Sequence, residues 1–113
     1  STQCLEEAYS SPILFYEPNG RTYFEAPLEQ VLMAEYYINR DMVLRMTVTL
    51  NDLYIWLGLE PTDYGETVGW TLMDEMYWID FNHRKIHLED GRSCYVIETP
   101  FEPSVEALSD EYY

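Results

Sequence analysis

At 113 residues the chain has the size of one domain, and 21 acids against 6 bases leave a net charge of −15 that repels nucleic acid and anionic membrane surfaces. Apolar residues at 47% and aromatics at 16% are too many for an unstructured acidic tract, so the chain is expected to fold. It contains neither a run of about 18 apolar residues nor a basic-then-apolar leader, and a soluble, cytoplasmic protein is the expectation.

In chain order, Ile13-Leu14-Phe15-Tyr16 and Arg21-Thr22-Tyr23-Phe24 read as two strands of a hairpin. Between them Glu17-Pro18-Asn19-Gly20 carries the Asn-Gly signal for positive φ angles. Pro27 suits the first turn of a helix, and Leu28, Val31, Leu32, Met42 and Met46 recur at helical spacing, which predicts one long helix through about Arg45. Thr49 followed by Asp52 resembles a capping box with Asp in place of Glu. The stripe Leu50, Leu53, Tyr54, Leu57 and the terminal Gly58 then complete a short second helix.

Residues 60–70, with Pro61, Gly65 and Gly69 among Asp63, Tyr64 and Glu66, have the composition of an ordered surface loop. Strands are expected at 77–81, 85–88 and 93–97, the last two joined by the Asp90-Gly91 turn signal. Beyond Pro100 and Pro103 the acidic end is expected to fray, with at most a turn or two of helix from Ser104. The fold class expected is α+β: an N-terminal β-hairpin, one long and one short helix, and a C-terminal antiparallel β-meander. Its parts are a flexible start (1–12), one domain (13–103) and an acidic tail (104–113).

Several runs carry a family resemblance: Leu50-Asn51-Asp52-Leu53-Tyr54, the stretch from Leu57 to Gly65, Val68-Gly69-Trp70 and Trp78-Ile79-Asp80-Phe81. The segment from Asn19 to Val31 and the turn at Glu89-Asp90-Gly91 leading to Ile97 add to it. Together they resemble an uncharacterised domain family encoded by phages and prophages of gut bacteria. Larger members of that family place the domain behind a hydrophobic, membrane-inserted region; this sequence has none, so no membrane role is expected. The resemblance implies a genetic setting, mobile elements and phage, and no catalytic residue; the cytoplasm expected above is then that of the bacterial host.

His83 and His87 with Asp80 upstream are the residues able to seed a metal site. Asn82-His83 reads as a turn and His87 as strand, so convergence is not expected and no metal or cofactor is assigned. Adjacent carboxylates such as Glu6/Glu7, Asp74/Glu75 and Glu89/Asp90 suit acid–base chemistry, but with 21 acids such pairs arise by chance. Cys4 and Cys94 show no CxxC spacing, and Cys94 in a strand reads as a buried, inert thiol. Gly65 and Gly69 fit no phosphate-binding pattern. The expected protein is therefore not an enzyme.

Charge distribution is the remaining signal. From Met46 to His83 there are seven acids and no base, and from Ser93 onward five more acids, again without a base. Aromatics interleave with them, and acid with aromatic is what a basic groove accepts. Spread over about 6,500 Å² of monomer surface, the charge is roughly one per 430 Å², against about one phosphate per 100 Å² of duplex envelope. DNA mimicry therefore requires the acids to gather on one face.

The expected partner is a basic protein, bound through Glu60, Asp63, Tyr64, Glu66, Asp74 and Glu75, with Trp70 and Trp78 assigned to the core. The leading expectation is a nucleic-acid-mimicking inhibitor of a host defence protein, of anti-CRISPR or anti-restriction type. A phage structural or accessory interaction domain and a small-ligand sponge or metal-dependent enzyme are the alternatives. A second apolar stripe (Met33, Tyr36, Tyr37, Ile38 beside Leu28 and Leu32) also permits a homodimer.

Overall fold

A computed structural model describes residues 11–72 and 78–109. The expected flexible start up to Ser10, Cys4, Asp74, Glu75, Tyr77 and the tail beyond Ser109 lie outside the described residues. The chain divides into two compact units. One comprises the described residues up to Leu32 together with Asp80–Pro100, the other those within Met33–Ile79 together with those from Phe101 onward.

In the first unit, β1 (Pro12–Glu17) and β2 (Thr22–Pro27) form the expected hairpin, in register from Pro12 opposite Pro27 to Glu17 opposite Thr22. The buried carboxylate of Glu17 organises the turn, accepting from the N–H of Asn19 (3.0 Å), its side-chain amide (2.9 Å) and the N–H of Gly20 (2.6 Å). The positive φ expected at Asn19-Gly20 falls instead on Arg21, at 52°. Hairpin loops longer than two residues are built around a type I turn, and in that arrangement a left-handed residue follows the turn.

The long helix α1 (Leu28–Arg45) starts directly after β2. Farther along, β5 (Asn82–His87) and β6 (Ser93–Glu98) make the expected antiparallel pair. Their turn uses Gly91 at φ 87°, with the Asp90 carboxylate accepting from the Arg92 N–H (3.0 Å) and Nε (2.7 Å). Those contacts hold the Asp90 carboxyl below the usual carboxylate range. The two hairpins join through a parallel contact, Phe15 opposite Tyr95 and Tyr16 opposite Val96, giving one sheet of order β2-β1-β6-β5. Phe15, Ala26, Val31, Phe81, Cys94, Val96 and Ile97 are buried here.

The second unit takes α1 from Met33, where Ala34, Ile38 and Met42 continue the buried stripe at helical spacing. The helix stops at Met46, whose φ of 71° is left-handed. Strand β3 (Thr47–Thr49) leads into α2 (Leu50–Leu57). The capping box is formed as expected: Thr49 Oγ1 accepts from the Asp52 N–H (3.0 Å) and the Asp52 carboxylate from the Thr49 N–H (2.8 Å). Gly58, at φ 82°, ends the helix. A 3₁₀ turn at Tyr64–Glu66 precedes β4 (Gly69–Thr71), which pairs antiparallel with β3. Gly69 is required there because a Cβ would run into the Val48 carbonyl and lie 2.9 Å from Thr49 Cα.

Four further details differ from expectation. The loop placed at 60–70 ends at Val68, since Gly69 and Trp70 belong to β4 and are buried. Residues 78–81 are irregular, because the backbone N–H and C=O of Ile79 are both taken by the Asn39 side chain and are lost to any strand ladder. His83, read as a turn residue, consequently sits inside β5. Finally, Ser104 pairs with Gly69 through two backbone hydrogen bonds (2.8 and 3.0 Å), a pairing not expected, before the expected short helical turn, a 3₁₀ turn at Glu106–Leu108 with Ala107 buried. No helix among the described residues is long and apolar enough to cross a membrane.

Candidate functional site

The acidic loop is built on one buried amide. Asn51 lies in the first turn of α2, on the side that also buries Leu50 and Tyr54. Its Oδ1 accepts from the Thr62 N–H (2.9 Å), and its Nδ2 donates to the Thr62 carbonyl (2.8 Å) and to Glu66 Oε1 (2.7 Å). Thr62 Oγ1 in turn accepts from the Gly65 N–H (2.9 Å), and the Tyr64 carbonyl accepts from the Thr67 N–H (2.9 Å) and hydroxyl (2.7 Å). Gly65 fills the space against the amide, where a Cβ would collide with Asn51 Oδ1 and lie 2.7 Å from its Cγ. Proline at 61, this network and the 3₁₀ turn restrain the loop backbone.

The side chains that this network carries to the surface are the expected ones. Glu60, Asp63 and Glu66 are exposed, and Tyr64 is 54% exposed beside them. Among the described residues none of the three carboxylates makes an ion pair; the pairs formed are Arg40 and Arg45 with Asp41, Arg45 with Asp52, Arg84 with Glu98, and Arg92 with Asp90. Asp52, one of the seven acids of the base-free stretch, is thus neutralised by Arg45 at 3.0 Å and serves its own helix. Asp63, Tyr64 and Glu66 are brought together on one turn with Glu60 just upstream, while Asp74 and Glu75 lie outside the described residues. Sequence reasoning missed Asn51, Thr62 and Gly65; the available signal was a polar residue on an otherwise apolar helix face.

A second surface of this unit is apolar. Opposite the buried stripe, α1 exposes Met33, Tyr36, Val43 and Leu44, the last at 73%. Trp78, expected in the core, is 47% exposed and closes a cleft of about 210 Å³ with Tyr36, Asn39, Arg40, Val43 and Leu44. Of the second stripe noted in the sequence, Ile38 is buried and Tyr37 stacks on Trp56 at 4.5 Å, capped by the Arg40 guanidinium 4.6 Å from the Tyr37 ring.

With this geometry in view, comparison with protein families finds a match over residues 1–108. The chain belongs to DUF6353, a family of unknown function. No curated protein and no solved structure matches it. The matched DUF6353 span includes both hairpins, the Asn51 hub and the whole acidic loop.

The other candidates in this DUF6353 chain are kept apart by the fold. His83 and His87 stand four residues apart on β5, roughly 13 Å along the strand, and among the described residues no group of three His, Cys, Asp or Glu side chains is placed to hold a metal. His87 is exposed, with Nδ1 3.4 Å from the Ser93 hydroxyl. Cys94 is fully buried on β6 and burial pushes its thiol pKa up, which disfavours the reactive thiolate.

Proposed function

We propose that this chain is a non-catalytic binding protein that presents Glu60, Asp63, Tyr64 and Glu66 to a basic, nucleic-acid-binding protein and occupies the groove where that protein holds a polyanion. One observation carries the reading: three carboxylates that form no ion pair among the described residues stand beside an exposed tyrosine on a loop held by Asn51. Holding charges in place before binding reduces the ordering cost of association, and a tyrosine adds contact area with few torsions to fix. In a phage or prophage setting, the partner of such a surface is a host defence protein, and the chain acts as a stoichiometric inhibitor of anti-CRISPR or anti-restriction type.

The test is capture of partners from the lysate of the carrying cell, with wild type and with Glu60→Lys/Asp63→Lys. A nucleic-acid-binding protein that is released by rising salt, is displaced by duplex DNA and binds the variant about tenfold more weakly supports the reading. Retention that ignores salt, DNA and both substitutions removes it. The apolar face formed by Tyr36, Val43, Leu44 and Trp78 favours a second reading, an accessory interaction domain or homodimer. In that case Leu44→Lys, rather than the loop reversal, abolishes binding.

A further inference from the structure

The sheet unit holds a cavity that neither the hairpins nor the acidic loop explains. Ile13 and Phe15 are alternate residues of β1 and so share a face; Tyr95 stands opposite Phe15 on β6; His83 lies two residues from Lys85, the partner of Tyr95 on β5. These four side chains and Leu28, the first residue of α1, line a space of about 260 Å³. Its walls are two aromatic rings, two aliphatic side chains and one imidazole. Phe15 is stacked from behind by Phe24 at 5.6 Å, and the His83 ring meets Phe15 at 6.4 Å and Phe81 at 6.2 Å edge-on.

The imidazole is the polar group out of place. Among the described residues His83 Nδ1 has no hydrogen-bond partner and is shut off from solvent, a costly condition for a buried polar atom. Burial lowers its pKa and Asp80 opposes this only in part, which favours the neutral ring, with one nitrogen a donor and the other an acceptor. Torsion about the bond to a histidine ring is soft, so either nitrogen can turn toward the cavity wall. The space opens to solvent, but its lining of rings and aliphatic side chains gives water few polar partners, so an apolar occupant displaces it readily. A dry cavity of about 150 Å³ admits benzene, and drug-sized ligands take roughly 300 Å³ or more. The volume here suits a one- or two-ring compound of about ten heavy atoms. Net charge of −15 disfavours an anion.

We propose that this cavity binds a small, neutral aromatic molecule carrying a single hydrogen-bond donor, which His83 accepts. The site is independent of the acidic loop, so the chain also sequesters such a compound one-to-one.

Titration with indole, followed by heteronuclear NMR on the isolated protein, tests it. The expected result is saturable shifts at Ile13, Leu28, His83 and Tyr95 with residues 60–66 unmoved. Indene, which has the shape of indole without the N–H, binds about fivefold more weakly to wild type and equally to His83→Phe. Leu28→Phe, which fills the space, abolishes binding while leaving the dispersed spectrum of a folded chain. Should Leu28→Phe unfold the protein, Ile13→Phe takes its place. No saturation at millimolar indole, shifts centred elsewhere, or equal affinity of wild type for indole and indene overturns the proposal.

Discussion

Two irregular segments, residues 78–81 and the loop at 60–66, are anchored by the same device and put to different use. In each, an asparagine amide on a helix grips both backbone groups of one distant residue. Asn39 holds Ile79, accepting from its N–H at 2.5 Å and donating to its carbonyl at 3.0 Å, and Asn51 holds Thr62 in the same way. Asn39 spends its second amide hydrogen inward, on the Glu35 carbonyl at 2.7 Å, and the residue it grips is fully buried. Asn51 directs a donor outward to a carboxylate, and its loop turns four polar side chains to solvent. The first anchor closes a core, whereas the second displays a surface.

That contrast is open to measurement. Asn39→Ala leaves two buried backbone groups unpaired, and urea unfolding should show a loss of about 3 kcal/mol; a loss under about 1 kcal/mol would mean that water replaces the amide there. Asn51→Ala should cost about 2 kcal/mol, and its mark is local. Amide exchange at Thr62 and Gly65 accelerates and partner binding weakens, while the Ile79 amide keeps its protection. Equal acceleration at Ile79 would erase the distinction between the anchors. The smallest effect concerns the other unit. The folded-state pKa of His83 lies below its ordinary 6.5, so the unfolded chain binds more protons between those values. The contribution of His83 is therefore complete above about pH 6.5 and declines as pH falls below it. His83→Gln should flatten the acid limb of a stability–pH curve relative to wild type, and an unchanged limb would show that the ring takes up a proton freely in the folded state.

What could be read from the sequence follows the range of each interaction. The hairpin at Glu17-Pro18-Asn19-Gly20, the capping box of Thr49 and Asp52, the stop at Gly58 and the turn at Asp90-Gly91 are settled by residues within a few positions of one another, and all four stand in the structure. Asn39 and Ile79 lie 40 positions apart and Asn51 and Thr62 lie 11 apart; the β3–β4 ribbon pairs Val48 with Trp70. Nothing local marks those partners. The acidic loop was legible as a base-free stretch with an interleaved aromatic, but what holds it was not, because an asparagine in an apolar stripe announces only that some backbone awaits it. Trp78 was misjudged for a related reason: a large aromatic is usually buried, and here the Asn39 anchor on its neighbour leaves the ring outside.

The parallel contact between β1 and β6 bears on the order of events during synthesis. Phe15 and Tyr16 meet Tyr95 and Val96 only after some 80 intervening residues have been made, and those residues include the helices and β3–β4. Until β6 emerges, the flank of β1 that will become the middle of the sheet is an open edge beside Ile13, Leu14 and Phe15, the kind of edge that recruits other chains. Closing so long a loop is slow relative to forming either hairpin or helix, so a ribosome-stalled fragment ending before Ser93 is the species most prone to aggregate, since it lacks β6 and also the Ser104 that pairs with Gly69 in the helical unit.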